Sequence, residues 1–382
     1  MPQSSRIASR SPSAPGGAEE SVLASTVGTA QRLPSLDGLR AISVGIILSF
    51  HLRLLPTLGR PRWMKFEVST LGMFIFFVIS GFIITKLLLD ERERCGTIHL
   101  PSFYGRRFFR IFPALLAYLL GLAVLGRLRL ASCSVHQLWL GLTFLGNYRY
   151  SGCWSTAHLW SLSVEEQFYL LWPLVLSRLS SRNASRLLLT VICIVPAIRI
   201  AHLVHGADWM TLEWHSESVA DSLAIGCLLA IRRNWLHANL AYQRFANSRF
   251  CWFLPVAVLA AGWQHSPLFY QGFGKTLMLV GIAIGIDISI QRSKTAWGRC
   301  LNKAALVKLG LWSYSIYLWQ QVFIIQLPGA QPYAHFPLNL ALSLSVGIAS
   351  YYLVERPAIR WGRQMIARAQ TSANVAVLKE AT

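Results

Sequence analysis

The stretch LDGLRAISVGIILSFHLRLL, residues 36–55, decides the fold of this chain. It is a mostly apolar run of 20 residues, and at about 1.5 Å rise per residue it can cross the hydrocarbon core of a bilayer as one helix. Arg40 and His51 are eleven residues apart in it. That is about three turns, so both side chains leave the same face about 16 Å apart along the axis. We predict a first membrane-spanning helix with a fixed cation near one surface and an imidazole deep inside.

Ionisable residues such as Asp37, Arg40 and His51 are rare in spanning helices. Each costs roughly 2.5 to 3.5 kcal/mol on insertion scales, so such groups usually face a protein interior or a water-filled cavity and mark a site. The alternative is that Arg40 reaches the headgroups and that His51 hydrogen-bonds a neighbouring helix. The shared face of Arg40 and His51 favours a functional interpretation.

The rest of the chain repeats this apolar pattern. Of its 382 residues, 54% are hydrophobic, and most of the chain divides into about ten segments of spanning length. We predict an all-α polytopic membrane protein with about ten transmembrane helices. The segments are residues 36–55, 70–89, a third ending at 125, a fourth opening at 158, then 187–204, 219–231, 251–263, 277–290, a ninth containing 311–321, and 336–354.

Basic residues are distributed unevenly between the connections. Lysine and arginine outnumber aspartate and glutamate by 36 to 16, a formal net charge of +20. They concentrate in every second loop, whereas the connections 205–216, 264–272 and 328–336 contain none. By the positive-inside rule both termini lie in the cytoplasm. The alternation also excludes a continuous nucleic-acid-binding face. The basic residues within 53–65 do not fit this scheme, because it places them outside.

Three regions follow from the composition. Residues 1–31 are rich in Ser, Ala, Gly and Pro and predict a disordered cytoplasmic tail without the pattern of a signal peptide. Residues 32–357 form the predicted transmembrane domain. Residues 358–382 begin as a basic amphipathic segment, typical of a helix that lies on an anionic inner membrane surface.

Seven cysteines divide according to this topology. Cys133 and Cys153 fall in the same predicted external loop, where a disulfide is permitted, and the others fall in spans or on the reducing cytoplasmic side. We therefore expect a Cys133–Cys153 bridge. No pair has the spacing of metal ligands.

The segment FYGRRFFRIFP, residues 103–113, leads into the third span. Arg107 and Arg110 are three residues apart and share a helix face. Such a pair at the cytoplasmic border can hold phosphates bidentately and stack on an adenine ring. The alternative is a juxtamembrane patch for anionic lipid.

A polar and aromatic stripe opens the fourth span, in HLWSLSVEEQFYLLWP. At helical spacing one face carries His158, Ser161, Glu165, Tyr169 and Trp172. Glu166 points about 100° away. Glu165 is therefore the better candidate for an inward carboxylate, one that could orient a histidine of the first helix. The alternative is an interfacial aromatic belt.

Two later spans carry further candidates for substrate binding. Asp221, with Glu213 and Glu217, lies near the predicted outer mouth of the sixth span, where it could line an entry for a polar acceptor or simply be a solvated helix end. In the ninth span, Tyr317 shares a face with Ser313 and Gln320.

Six segments in this order resemble the acyltransferase-3 family of bacterial integral membrane O-acyltransferases, from about residue 32 to residue 357. They are LDGLRAISVGIILSFH, FIFFVISGFIIT, FYGRRFFRIFP, HLWSLSVEEQFYLLWP, SYSIYLW and YYLVERP. The resemblance implies a multi-pass enzyme of the bacterial inner membrane. It would move an acyl group, commonly acetyl, from acyl-coenzyme A as co-substrate to a hydroxyl of a carbohydrate, glycolipid or related acceptor, with no permanently bound cofactor. It implies the stand-alone type, without an added hydrolase-like domain.

The same resemblance assigns roles to residues. Arg40 and His51 match the Arg and His of the family's first helix, Arg107 and Arg110 its cytoplasmic arginine motif, and Glu165 the Glu of its WSLxxExQFY segment. Many members have a histidine where this chain has Gln320, which leaves His51 as the stronger candidate for the general base.

A transporter or flippase for an anionic lipid-linked saccharide is the alternative function. Arg40, Arg107 and Arg110 would then line a translocation path. That class typically has broken helices and an internal repeat of its halves. No such repeat is visible in the sequence, and the six motifs favour the enzyme.

Overall fold

The computed structural model describes residues 33, 35–52, 68–130, 133–149, 152–262, 266–324 and 334–380. Every regular element in these ranges is helical, as predicted. The helices are α1 Leu36–His51, α2 Val68–Cys95, α3 Leu100–Arg127, α4 Val135–Leu142, α5 Trp154–Ala157, α6 Leu159–Arg178, α7 Ser181–Val204, α8 Trp209–Glu213, α9 Ser216–Ala238, α10 Leu240–Asn247, α11 Leu254–Ala261, α12 Pro267–Phe269, α13 Lys275–Gln291, α14 Ala296–Leu301, α15 Ala304–Phe323, α16 Leu338–Ser350 and α17 Arg356–Glu380. A 3₁₀ turn at Arg249–Phe253 precedes α11, and π-helical turns at Tyr270–Gly274 and Tyr351–Glu355 join α12 to α13 and α16 to α17.

Each of the ten predicted apolar segments coincides with a helix. Five helical stretches within the described ranges are long and apolar enough to cross a membrane: Thr70–Cys95, Leu100–Arg127, Ser181–Val204, Pro267–Gln291 and Leu338–Ser372. Helix α1 is only 16 residues long, the apolar stretch Arg249–Ala261 is also shorter, and α6, α9 and α15 carry more polar residues, so none of these is in this set. A multi-pass arrangement is consistent with this result, while the number ten and the sides of the termini stay predictions.

The compact unit that carries the site runs from Leu33 to Ile366. Its core is centred on α2, whose Phe74, Phe77 and Phe82 are fully buried. A Cβ on Gly81 of α2 would lie 2.2 Å from the backbone oxygen of Leu223, on α9. The absence of a side chain therefore lets these two helix backbones pack in direct contact.

Helix α1 packs between α2 and α15, and this placement positions the candidate residues on its face. Ser43 on α1 donates a hydrogen bond to the carbonyl oxygen of Gly72 on α2. At the start of α1, the backbone N–H of Ser35 donates to Oδ1 of Asn302, which follows α14, over 2.8 Å. These contacts fix α1 at both its first turn and its middle.

The predicted disulfide between Cys133 and Cys153 is confirmed. The two Cα atoms are 5.9 Å apart. The bridge joins the residue just before the N-cap of α4 to the N-cap of α5, and so ties down the segment that leads into α6.

Candidate functional site

His51 is the last residue of α1, and its ring contacts two other elements. Nδ1 of His51 lies 3.0 Å from Oε1 of Gln320 on α15. The ring also meets Trp154 of α5 edge to face, with centroids 5.7 Å apart. Trp154 in turn donates from Nε1 to the backbone oxygen of Ile324 over 2.6 Å. The C-terminal end of α15 and the start of α5 therefore enclose the imidazole.

His158 lies immediately before α6 and is buried. Its Nδ1 is 2.8 Å from Oε1 of Gln321, and its Nε2 is 3.1 Å from the backbone oxygen of Leu318. The hydroxyl of Tyr317 donates to the backbone oxygen of His158 and lies 2.8 Å from Oγ of Ser161. We call His51, Trp154, His158, Tyr317, Gln320 and Gln321 the histidine cluster.

Glu165 belongs to a second group of polar side chains. Its carboxylate accepts a hydrogen bond from Ser80 of α2, and the hydroxyl of Tyr169 donates in turn to Oγ of Ser80 over 3.1 Å. Arg40 and Arg107 interact with the same carboxylate electrostatically. The predicted inward orientation of Glu165 is therefore confirmed.

Arg107 faces the bundle interior rather than the lipid. Its guanidinium carbon is 4.5 Å from the centroid of the Tyr169 ring. It also interacts electrostatically with Glu165 and Glu166. The stacked geometry is typical of a cation–π contact, which is strengthened where water is excluded.

Arg110 faces a third carboxylate, Glu355, at the end of the π-helical turn before α17. Glu355 is only 1% exposed and accepts a hydrogen bond of 2.7 Å from Ser315 on α15. Arg110 and Arg40 both interact with it electrostatically. We call Arg40, Arg107, Arg110, Glu165, Glu166 and Glu355 the arginine–glutamate cluster.

The arginine–glutamate cluster holds three potential cations and three potential anions. Buried charges are tolerated when they are paired and hydrogen-bonded. A guanidinium can bind a phosphate in bidentate geometry, and these arginines interact with the glutamates electrostatically. The arrangement therefore suits an anionic ligand that enters among these helices.

The stripe predicted along α6 is confirmed and connects the two clusters. His158 and Ser161 contact α15, and Glu165 and Tyr169 contact Ser80 on α2. Further along the helix, Trp172 donates from Nε1 to Thr85 over 2.8 Å. One helix face thus runs from the arginine–glutamate cluster to the histidine cluster.

Glu165 was expected to orient His51, but in the structure the two side chains have different hydrogen-bond partners. Nδ1 of His51 contacts the amide of Gln320. Glu165 accepts a hydrogen bond from Ser80 and interacts electrostatically with Arg40 and Arg107. The physical reason is their position: Glu165 lies about two turns further along α6 than His158, which is the residue level with the α15 glutamines.

Asp221 is neither a solvated helix end nor part of the two clusters. It is fully buried, and its Oδ2 accepts hydrogen bonds of 2.9 Å from Arg199 and from Thr276. Arg199 is fully buried as well. Beside them, Lys275 donates to Glu213 over 2.9 Å. Asp221, which was predicted to bind substrate, is therefore already paired with Arg199 and Thr276 in the interior of the protein.

Sequence reasoning missed several members of the clusters. Ser80 was quoted only within FIFFVISGFIIT, yet it hydrogen-bonds with both Glu165 and Tyr169. Glu355 was quoted only within YYLVERP, although a carboxylate directly after an apolar span is a signal of an inward charge. Gln321 and Trp154 gave no signal, because amides and tryptophans are common at membrane borders.

A family model described as an acyltransferase domain matches residues 33–354. The O-acetyltransferase OatA of Staphylococcus aureus is 27% identical, with 86% of this chain and 58% of that protein covered. The putative peptidoglycan O-acetyltransferase YrhL of Bacillus subtilis is 26% identical, with 88% and 56% covered. The peptidoglycan O-acetyltransferase OatA of Listeria monocytogenes is 28% identical, with 76% and 49% covered.

The chain spans only 49% to 58% of the length of these curated relatives. No solved structure matches the chain.

Proposed function

Because the chain belongs to the acyltransferase family whose model matches residues 33–354, we propose that it is a multi-pass membrane O-acyltransferase. It moves an acetyl group from acetyl-coenzyme A to a hydroxyl of a carbohydrate, with peptidoglycan as the acceptor that the names of the relatives suggest. The observation that carries the proposal is the face of α6, which links a cluster suited to phosphates with a cluster that holds an imidazole.

Arg107 and Arg110 are the proposed contacts for the nucleotide part of coenzyme A. Guanidinium groups bind phosphates bidentately and stack on aromatic rings, which lysine cannot do. The contact of Arg107 with Tyr169 supports a role inside the bundle over the alternative of a lipid-facing basic patch. Since the basic loops are predicted to be cytoplasmic, the coenzyme would enter from that side, in the bacterial inner membrane.

His51 is the proposed general base. Its ring takes the proton from the acceptor hydroxyl as the hydroxyl oxygen attacks the carbonyl carbon of the thioester. The carbon–sulfur bond then breaks, the acetyl ester forms, and the coenzyme A thiolate takes the proton from the imidazolium. Arg40 lies about 16 Å from His51 along α1, so it is assigned to the phosphates rather than to the thioester oxygen.

The experiment measures acetyl-coenzyme A binding to the purified protein in detergent, together with O-acetyl esters on the cell-wall glycan of a host that expresses it. The double variant Arg107→Ala, Arg110→Ala should lose saturable binding. His51→Ala should bind the coenzyme with affinity within about threefold of wild type but form no ester, because a base acts in the transition state and not in binding.

Two controls separate loss of function from loss of fold. Arg106→Ala removes a neighbouring arginine that is exposed and pairs with Glu91 on the surface, so it should leave binding unchanged. Arg107→Lys, Arg110→Lys keeps the charge that balances the buried glutamates but loses the planar guanidinium. A folded wild-type protein that binds no acyl-coenzyme A would contradict the proposal and favour the transporter.

A further inference from the structure

The amide of Gln320 is the part of α15 that meets His51, and its surroundings hold it in place. Gln320 is fully buried, and its Oε1 lies 3.0 Å from Nδ1 of His51. The next residue, Gln321, accepts a hydrogen bond from the backbone N–H of His158. Because the two glutamines are consecutive on one helix, the anchor on His158 also limits the movement of Gln320.

A neutral imidazole carries one N–H and one lone pair. An amide oxygen can only accept a hydrogen bond, so Nδ1 of His51 must be the protonated nitrogen in this contact. The lone pair is then at Nε2. A hydrogen bond to one ring nitrogen in this way decides which nitrogen can act as a base.

The other half of the same amide is its nitrogen, Nε2. Within the described part of the chain, Nε2 of Gln320 is buried and has no hydrogen-bond partner. A buried donor without a partner is unfavourable. The contact of Oε1 with Nδ1 of His51 is therefore the hydrogen bond that orients this amide.

We propose that Gln320 is a positioning residue for His51. It fixes the Nδ1–H tautomer and the orientation of the ring, so that Nε2 receives the proton of the acceptor hydroxyl. The role of Nε2 in transfer rests on the proposed function, whereas the tautomer does not. An amide exchanges no proton in this setting, so His51 alone titrates at this contact.

The first test is ¹⁵N NMR of the full chain in detergent, with the histidine rings labelled, at a pH well above the ordinary imidazole value of about 6.5. The signals of His51 are assigned by their loss in His51→Gln. We expect a protonated Nδ1 in the wild type and loss of that preference in Gln320→Met, which keeps the shape without the amide. Gln243→Met, the same change on α10, should leave the His51 signals in place.

A wild-type spectrum with Nε2 protonated would overturn the proposal, because it would mean that the amide nitrogen faces the ring. A tautomer that does not respond to Gln320→Met would overturn it as well. Both results are readable without any transfer assay.

The second test is the rate of acetyl transfer. Gln320→Met should lower kcat about fivefold to tenfold, the effect of one neutral hydrogen bond, with an unchanged KM for acetyl-coenzyme A. Gln320→Glu should restore kcat and move the acidic limb of the pH profile to higher pH, because a carboxylate stabilises the imidazolium. A purely structural role predicts lower folded yield with no change in the pH profile.

The two proposals fail in different ways. If the wild type shows the expected Nδ1–H tautomer but neither it nor any variant transfers acetyl groups, the contact of Gln320 with His51 stands and the proposed function is wrong. If the wild type transfers acetyl groups while His51 carries its proton on Nε2, the proposed function stands and only the positioning role of Gln320 is wrong.

Discussion

Arg199 and Asp221 form a buried ion pair, which gives this carboxylate a structural role. Both side chains are fully buried. Arg199 also donates to the backbone oxygens of Gln271 and Ser218 over 2.8 and 3.0 Å. Its guanidinium therefore joins α7, α9 and the π-helical turn before α13. Removal of its one carboxylate partner would leave a buried cation without compensation.

We predict that Asp221→Ala destabilises the protein by about 3 to 5 kcal/mol, the usual cost of breaking a buried pair. The measurement is the unfolding temperature of the purified protein in detergent. The double variant Arg199→Met, Asp221→Leu should recover most of the loss, because a well-packed apolar pair can replace a buried ion pair. A stable Asp221→Ala variant that fails only in acceptor use would instead support the substrate-binding role.

At the scale of single elements, α1 depends on a close contact at its first turn. A Cβ on Gly38 would lie 2.2 Å from the backbone oxygen of Leu301, the last residue of α14. Nothing lies within 4 Å of a Cβ on Gly45, two turns further along the same helix. Gly38 therefore has no room for a side chain, whereas Gly45 does.

We predict that Gly38→Ala destabilises the protein by about 1 to 3 kcal/mol, the usual cost of overpacking, and lowers acetyl transfer because Arg40 moves with the first turn. Gly45→Ala should be neutral or slightly stabilising, since alanine is the better helix former. Unfolding temperature and ester formation measure both. Equal behaviour of the two variants would mean that α1 and α14 are not in the contact described.

The sequence anticipated the helices well and their junctions poorly. Apolar segments of spanning length predicted the positions of helices, five of which are long and apolar enough to cross a membrane, and the spacing along α6 grouped His158, Glu165 and Tyr169 on one face, because both signals come from residues within one element. The π-helical turns gave no such signal. The one at Tyr351–Glu355 continues α16 into α17, so the helical stretch Leu338–Ser372 runs on beyond residue 354, where the last span was predicted to end.

Contacts between different helices could not be predicted from the sequence, because their residues lie far apart in the chain. Gln320 was noted for the histidine it replaces and for the helix face it shares with Tyr317, but its contact with His51 joins residues 269 positions apart. Likewise, Asp221 could be placed near a helix end, but its partner Arg199 is on another helix. Helical spacing shows which face a residue occupies and does not show which helix that face meets.

At the scale of the whole molecule, the cysteines can report the predicted topology. Cys95 ends α2, is exposed, and falls in a basic loop predicted to be cytoplasmic. The Cys133–Cys153 bridge falls in a loop predicted to be external, where disulfides persist. The two sites should therefore react from opposite sides of the membrane.

We predict that a membrane-impermeant maleimide on intact cells does not label a variant that retains Cys95 with every other cysteine replaced by serine, and labels it after permeabilisation. A second variant that retains only Cys133 and Cys153 should be labelled on intact cells, and only after reduction by an impermeant reductant. The reason is that a charged reagent cannot cross the hydrocarbon core. Labelling of Cys95 from outside would invert the topology, and the arginine–glutamate cluster would then open away from the cytoplasmic supply of coenzyme A, which would remove acyl-coenzyme A as the donor.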